Sequence, residues 1–351
     1  MTLQRIHDGG VFDDATTDER RTRVYVRSGE LGLATRADVT LMEALSEQQP
    51  PQRLHVVGPS GAGKTSLILR VVVDLVRRQL DVEHEFLILR VGDRPERLGS
   101  PEEVMKMVLD TVAVEGHRFS NVSSEVLQAA AADERTQTPA QLEQQAGLAA
   151  AVVSYTATLK EAYETIGIGQ NAARVRHDLE DVLTQVINAG YRPVLVLDDT
   201  EKFVSPGPDG KVDETSVENL YHNGVRVLGE LDIDLVVAMH PRFETVDRVT
   251  EVIERLAMPR IDVPELPADA DDPALARILE RRMQRDGVDA ALETVIDRAA
   301  VEELQVLYHE RDRDLRSVLK LAHGAAAHAL GRGSARIEAR DIRAVVAGTL
   351  R

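Results

Sequence analysis

The sequence contains neither cysteine nor tryptophan among its 351 residues. Without cysteine, the chain cannot build a disulfide framework, a thiolate metal site or a cysteine nucleophile. Six tyrosines and five phenylalanines are its other large aromatic residues, and they are too few for the stacking platforms that bind single-stranded nucleic acid. These absences exclude a disulfide-stabilised domain, a cysteine-dependent enzyme and an aromatic single-strand-binding module.

Long apolar runs and an excess of basic residues are also missing. No stretch approaches the roughly 18 consecutive apolar residues that a membrane span needs. The first residues lack the apolar core of a secretory signal, so we expect no membrane association and a cytoplasmic location. Lys and Arg number 42 against 59 Asp and Glu, a net charge of −17. Such an acidic surface repels nucleic-acid phosphates on average, although it is compatible with a local basic groove.

The length and composition suit a globular protein of two domains, because 43% of the residues are hydrophobic and can form a sizeable core. Residues 1–33 are predicted to be an N-terminal arm with a loose start, residues 34–265 an α/β base, and residues 266–351 a small all-helical domain. Short apolar strands alternate with helices in the base, which is typical of a parallel sheet covered on both faces. The predicted strands begin at Leu54, Phe86, Val194, Leu235 and Arg260.

A glycine-rich segment from Gly58 to Thr65 fits the pattern G-x-x-x-x-G-K-[ST] between a predicted strand and a predicted helix. Glycines let such a loop turn its N–H groups toward phosphates, and the helix N-terminus adds positive potential. Lys64 is expected to contact the β- and γ-phosphates, and the Thr65 hydroxyl to bind Mg²⁺. The alternative is a glycine-rich turn with a surface lysine. The expected nucleotide-binding residues are Gly58, Pro59, Ser60, Gly61, Ala62, Gly63, Lys64, Thr65 and Ser66.

Two carboxylates follow a second apolar strand. Residues 194–197 are Val-Leu-Val-Leu, and Asp198 and Asp199 come directly after them. Ligands of α/β sheets bind at the carboxyl ends of the strands, so Asp198 is expected to hold the Mg²⁺ shell, usually through water. Asp199 is expected to orient the attacking water as general base. The alternative is a solvated pair of acids at the start of a loop.

Together these motifs resemble the AAA+ division of the P-loop ATPases, and within it the origin-recognition initiators and related bacterial regulator ATPases. The resemblance covers about residues 34–350. It implies a five-stranded αβα base, a helical lid, and ATP with Mg²⁺ at their junction. It also implies hydrolysis of ATP and a homo-oligomer in which the nucleotide often lies at a subunit interface.

Weaker matches to the same family suggest three more roles, one of them with two candidate residues. His240 follows the fourth strand, where the family places a γ-phosphate sensor, often asparagine, and Arg242 is a second candidate for this role. Otherwise His240 is a residue at the start of a helix or loop that binds no ligand. Arg255 resembles the arginine finger that reaches a neighbouring subunit; otherwise it is a surface arginine paired with Glu251. Arg316 resembles the lid arginine that contacts the γ-phosphate; otherwise it belongs to a solvated charge cluster.

The sequence departs from the family pattern in three ways. Asp199 stands where the family commonly has glutamate, which suggests slow hydrolysis. We expect no DNA-binding winged-helix domain after the predicted lid. Residues 115–170 are an insertion without a counterpart, and we expect it to bind a protein partner or to serve as a packing element; the alternative is a pore or DNA loop.

The sequence therefore predicts an ATPase that couples nucleotide binding and hydrolysis to conformational change or assembly of a macromolecular complex. One alternative is a STAND-like nucleotide-gated signalling switch with little turnover. Another is an ATP-dependent, DNA-associated regulator of replication or transposition, with Lys160, Arg174 and Arg176 lining a groove. The net charge does not favour DNA as a partner.

Overall fold

The structure is a computed structural model. It describes residues 2–13, 25–31, 33, 35–47, 51–78, 85–91, 100–101, 103–109, 111–112, 172–188, 190–204, 213–268 and 274–349. The predicted insertion at 115–170, and Lys160 with it, lies outside these residues.

Five parallel strands form one sheet in the order β2-β3-β4-β1-β5. Residues are fully buried along most of β3 and throughout β4, which explains why their sequences are continuously apolar. The predicted parallel α/β sheet with five strands is therefore confirmed. The strands are β1 Arg53–Val57, β2 Glu85–Val91, β3 Tyr191–Leu197, β4 Asp234–Met239 and β5 Arg260–Asp262.

The strand order determines which loops share an edge of the sheet. β4 lies between β1 and β3, and all three strands run in the same direction. The segments that follow β3 and β4, beginning at Asp198 and His240, therefore both leave from the carboxyl edge, where ligands of such sheets bind.

The helices that precede or flank the sheet are mostly amphipathic, and one of them changes its helical type. α6 begins as an α-helix over Glu214–Asn219, widens into a π-helical turn over Leu220–Val225 and returns to α-helix over Arg226–Gly229. The others are α1 Thr2–Asp8, α2 Ala37–Ser46, α3 Lys64–Arg78, α4 at 101–112 (102 and 110 excepted), α5 Ala172–Asn188 and α7 Asp247–Arg255.

The C-terminal part is helical, as predicted. Asp297 and Asp314 cap α10 and α11 by accepting hydrogen bonds from Ala300 N–H and Ser317 N–H. A short bridge between Ile296 and Ile337 interrupts the helices. The helices are α8 Ala274–Arg285, α9 Leu292–Val295, α10 Arg298–Glu310, α11 Leu315–Gly331 and α12 Ala339–Thr349.

The buried carboxylate of Asp341, on α12, contacts residues at the end of α11. The side chain of Asp341 is fully buried and accepts hydrogen bonds from Arg332 at 2.7 Å and from the Glu338 N–H at 2.8 Å. Burial alone raises the pKa of this carboxyl, but these bonds and the contact with His328 outweigh it and hold the pKa well below its ordinary value. Asp341 is thus ionised and paired in the folded protein at neutral pH.

The expectation of a loose N-terminal start is wrong for residues 2–13. Leu3, Ile6, Val11 and Phe12 are buried in the same hydrophobic core as the C-terminal helices, and the His7 ring stacks on His323 with centroids 4.9 Å apart. The sequence did not reveal this apolar face, because only four large apolar side chains form it and charged residues surround them.

The chain divides into two compact units. The first comprises Met1–Ala44, Val57–Asp74 and Ile261–Arg351, and therefore contains the glycine-rich loop, most of α3 and the C-terminal helices. The second comprises Leu45–Val56 and Leu75–Arg260. The boundaries predicted at 33/34 and 265/266 remain a prediction. In the described parts of both units, no helix has the length and apolar character needed to cross a membrane.

Replacing Phe12 with alanine should lower the free energy of unfolding by about 3–5 kcal/mol, because the ring is completely buried and its removal leaves a cavity. Urea denaturation followed by circular dichroism measures this change. Gln4→Ala, at an exposed position of α1, is the matched control and should change stability by less than about 0.5 kcal/mol. An equally small effect of Phe12→Ala would contradict a structural role for the N-terminal segment.

Candidate nucleotide-binding site

The glycine-rich loop connects β1 to α3 with a backbone that requires two of its glycines. Gly61 has φ +74° and Gly63 has φ +102°, both in a region that side chains with a Cβ rarely adopt. α3 begins immediately afterwards at Lys64, so the N–H groups of its first turn have no acceptor within the helix. The loop and the helix start thus form a concentration of backbone donors, which suits an anion.

Carbonyl groups of the loop itself bind the ammonium group of Lys64. Its Nζ donates to Gly58 O at 2.7 Å and to Pro59 O at 3.1 Å, and the residue is only 6% exposed. A buried cation needs such acceptors, because it has lost most of its water. The loop conformation, the helix N-terminus and the buried cation together fit the phosphates of a nucleotide.

The start of α11 packs against the same loop within the first unit. A Cβ added to Gly61 would collide with Asp314 Oδ1 and would lie 3.2 Å from Arg316 Cβ. The structure therefore brings Arg316 to the loop, as the lid resemblance requires. It also brings the Asp314 carboxylate there, which the sequence did not predict, and which caps α11 through Ser317.

Asp198 lies at the end of β3 with its side chain 2% exposed. Its N–H continues the sheet by donating to Val91 O at 2.8 Å. Its Oδ1 accepts from the Asp199 N–H at 2.9 Å, and its Oδ2 accepts from Arg90 Nε at 3.0 Å and Nη2 at 2.6 Å. The expected magnesium ligand is thus already paired with a guanidinium.

Asp199 has a strained backbone and a cationic partner. Its φ of +49° lies in the left-handed region, which is uncommon for residues other than glycine and concentrates at functional sites. Its carboxylate pairs with Lys202 at 2.7 Å. The next residue, Thr200, donates its hydroxyl to Ala238 O at 2.5 Å, which fixes this segment to β4.

His240 follows β4, and its ring makes a hydrogen bond through Nδ1. Nδ1 accepts a hydrogen bond from the Arg242 N–H at 3.1 Å and so caps the short 3-10 turn Pro241–Thr245. A neutral ring that accepts at Nδ1 carries its proton on Nε2, so His240 is a hydrogen-bond donor at that atom. The Arg242 side chain is exposed.

Arg255 ends α7 with its side chain 60% exposed, and it pairs with Glu230 at 3.2 Å. The expected alternative partner, Glu251, pairs with Arg248 instead. Arg176 and Arg226 also contact Glu230 at 3.2 Å each. Three arginines thus surround one glutamate at the end of α6.

Of the two expected magnesium ligands, Thr65 is the second residue of α3, and Asp198 is already bound by protein donors. Both carboxylate oxygens of Asp198 already accept from protein donors. Within the described residues, no group of three or more His, Asp or Glu side chains is arranged to hold a metal ion. The pair with Arg90 weakens Asp198 as a direct metal ligand, and its contact with the Mg²⁺ shell through water stays a prediction.

Sequence reasoning missed Arg90, Lys202 and Asp314. Arg90 could have been noticed, because it is a charged residue inside the apolar segment that forms β2, and buried arginines are almost always paired. Lys202 lies three residues after Asp199, a spacing that allows a contact in a helical turn. Nothing in the local sequence connects Asp314 to Gly61.

No protein-family model matches the sequence, and no curated protein matches it either. Solved structures do share its fold. The Aeropyrum pernix ORC1 protein in complex with DNA superposes with a TM-score of 0.56 at 17% identity, over 95% of this chain and 69% of that chain. The Aeropyrum pernix ORC2 protein, in ADPNP-ADP complexes, gives 0.53 at 15% identity, over 96% and 71%.

A structure of Drosophila ORC bound to DNA gives a TM-score of 0.50 at 14% identity, over the whole of this chain and 66% of that chain. The chain thus spans about two thirds of the length of these proteins. At such low identity, the likeness concerns the fold. The chain has the fold of the origin-recognition AAA+ proteins, which confirms at that level the resemblance predicted from its motifs.

Proposed function

We propose that this chain is an origin-recognition-like AAA+ ATPase that binds ATP in the glycine-rich loop and couples its nucleotide state to the assembly of a macromolecular complex. The observation that carries the proposal is the buried ammonium of Lys64, held on the carbonyls of a loop with two left-handed glycines. Glycines let such a loop turn its N–H groups toward phosphates. The shared fold with the ORC proteins supports the same proposal.

The chemistry proposed for this site is mainly positioning and charge neutralisation. The loop N–H groups bind the phosphates, and Lys64 and Arg316 supply positive charge. The Asp199 carboxylate orients a water molecule for attack. His240 donates from Nε2 toward the terminal phosphate. When bound, magnesium would supply further positive charge at the phosphates.

Arg255 supports the proposal that the active form is a homo-oligomer. It lies at the end of α7, only a few residues before β5 begins at Arg260. It therefore approaches the amino edge of the sheet, whereas the nucleotide loop leaves the carboxyl edge. An arginine at that edge suits a neighbouring copy's nucleotide better than its own.

A nucleotide-gated switch with little turnover is the second candidate, and one observation favours it. Both acids after β3 already pair with cations, Asp198 with Arg90 and Asp199 with Lys202. Such pairing weakens a carboxylate as a base or a metal ligand. In this candidate, ATP occupancy fixes a shape that a partner recognises.

DNA and protein partners remain proposals of lower rank. Two of the solved structures with this fold contain DNA, but the chain has a net charge of −17. Arg176, one of the residues expected in a DNA groove, pairs with Glu180 and Glu230. A protein partner bound through residues 115–170 is still proposed.

Lys64→Ala should weaken ATP binding by about 100-fold or more, because a charged hydrogen-bond partner of the phosphates is lost. Isothermal titration calorimetry with purified protein measures the affinity. Lys320→Ala, an exposed lysine on α11, is the matched control and should bind like the wild type. If the wild type itself gives no binding signal with ATP, the proposed function is wrong.

Asp199→Asn should leave ATP affinity within about twofold of the wild type and reduce phosphate release by about 100-fold or more, because the amide cannot accept a proton from the attacking water. Release of inorganic phosphate is measured at saturating ATP. Asp247→Asn, an exposed acid in the first turn of α7, serves as the control. Near-zero turnover by the wild type with tight ATP binding would select the switch instead.

Arg255→Ala should lower turnover by about 10³-fold, and wild-type turnover per subunit should rise with protein concentration, because the finger acts between copies. Arg248→Ala on the same helix is the control. Mixing Arg255→Ala with Lys64→Ala should restore activity, since the second variant supplies the arginine and the first binds the nucleotide. A flat specific activity across dilution, with no restoration on mixing, would exclude action between copies.

A further inference from the structure

The start of α11 meets the glycine-rich loop at Gly61, and both segments belong to the first compact unit. A Cβ added to Gly61 would collide with Asp314 Oδ1 and would lie 2.7 Å from Asp314 Cγ. These approaches are closer than the ordinary contact distance between non-bonded atoms. The absence of a Cβ at Gly61 therefore lets the Asp314 carboxylate lie directly against the backbone of the loop.

The Asp314 carboxylate is held in one orientation by a single neighbour. Its Oδ1 accepts a hydrogen bond from the Ser317 N–H at 3.1 Å, and its Oδ2 accepts one from the Ser317 hydroxyl at 2.5 Å. In the described part of the chain, no lysine or arginine forms an ion pair with this carboxylate. Its negative charge is therefore fixed beside Gly61 and is not neutralised by a cationic partner.

The loop that this charge touches is the proposed phosphate site. Loop carbonyls bind the buried Lys64 ammonium, and α3 begins at Lys64 with first-turn N–H groups that have no acceptor within the helix. Because Gly61 is itself part of the loop, a phosphate bound there would lie within about 10 Å of the Asp314 carboxylate, the screening length at 0.1 M salt. The two like charges therefore repel each other.

The helix cap does not require this negative charge. Asp314 caps α11, but asparagine and serine cap helices about as well as aspartate does. Arg316, two residues later, brings a positive charge to the same glycine, since its Cβ would lie 3.2 Å from a Cβ at Gly61. The start of α11 thus contributes one charge that attracts phosphates and one that repels them.

We infer that Asp314 lowers the affinity of the loop for nucleotides, and lowers it more for ATP than for ADP, by placing a fixed negative charge beside Gly61. This inference rests on the proposed nucleotide binding. It involves only the loop and α11 and does not depend on hydrolysis. Asp314 favours release of the nucleotide, in opposition to Lys64.

The experiment is isothermal titration calorimetry with ATP and with ADP on the full-length wild type, Asp314→Asn and Asp314→Ser. Both variants remove the charge and keep a capping side chain. ATP affinity should rise by at least about threefold in each variant, because a like charge is lost near the phosphates. The gain should be smaller for ADP, which has one phosphate fewer, and should shrink when salt is raised from about 0.1 M to about 1 M.

Asp297→Asn is the matched control. Asp297 caps α10 in the same unit by accepting a hydrogen bond from the Ala300 N–H at 2.7 Å. Its replacement makes the same change in net charge and in the type of capping residue, but on a different helix. The control should bind ATP and ADP like the wild type.

The outcomes separate the inference from the proposed function. Wild-type binding of ATP with no gain, or a loss, in both Asp314 variants overturns the inference and leaves the proposed function intact. An equal gain in Asp297→Asn also overturns it, because the effect would then come from net charge alone. Absence of binding by the wild type and by both Asp314 variants overturns the inference and the proposed function together.

Discussion

The acidic and sensing residues after β3 and β4 depend on one constraint, the parallel direction of the strands. Parallel strands release their following segments at a single edge, and β3 and β4 are neighbours in the sheet order. Residues from distant parts of the chain can therefore meet at that edge. If one of these strands were reversed, the segment that follows it would leave from the opposite edge.

Buried charge is the second constraint, and nearby protein groups compensate it. The Lys64 ammonium is held by carbonyls of its own loop, and Asp341 is held by Arg332. Burial raises the pKa of Asp234, although Arg192 and the Gln52 N–H oppose this effect. Each such contact offsets part of the cost of burying a charge.

The sequence was sufficient wherever the signal was local. The strands are short apolar segments, and the glycine-rich loop is contiguous, so both could be predicted from neighbouring residues. Contacts between distant segments could not. Arg90 and Asp198 are 108 residues apart, and only the strand register brings them together. The partner considered for Arg255 was wrong for the same reason. Glu251 is close to it in the sequence, whereas the observed partner, Glu230, lies at the end of α6.

The N-terminal helix has a consequence for the order of events during biosynthesis. α1 is synthesised well before α11, Leu315–Gly331, the helix that it packs against. At the usual rates of translation, the intervening stretch of about 300 residues takes roughly 15–60 s to synthesise. Leu3, Ile6 and Phe12 stay without their native partners throughout that time, so the newly made chain carries an unburied apolar segment until α11 emerges.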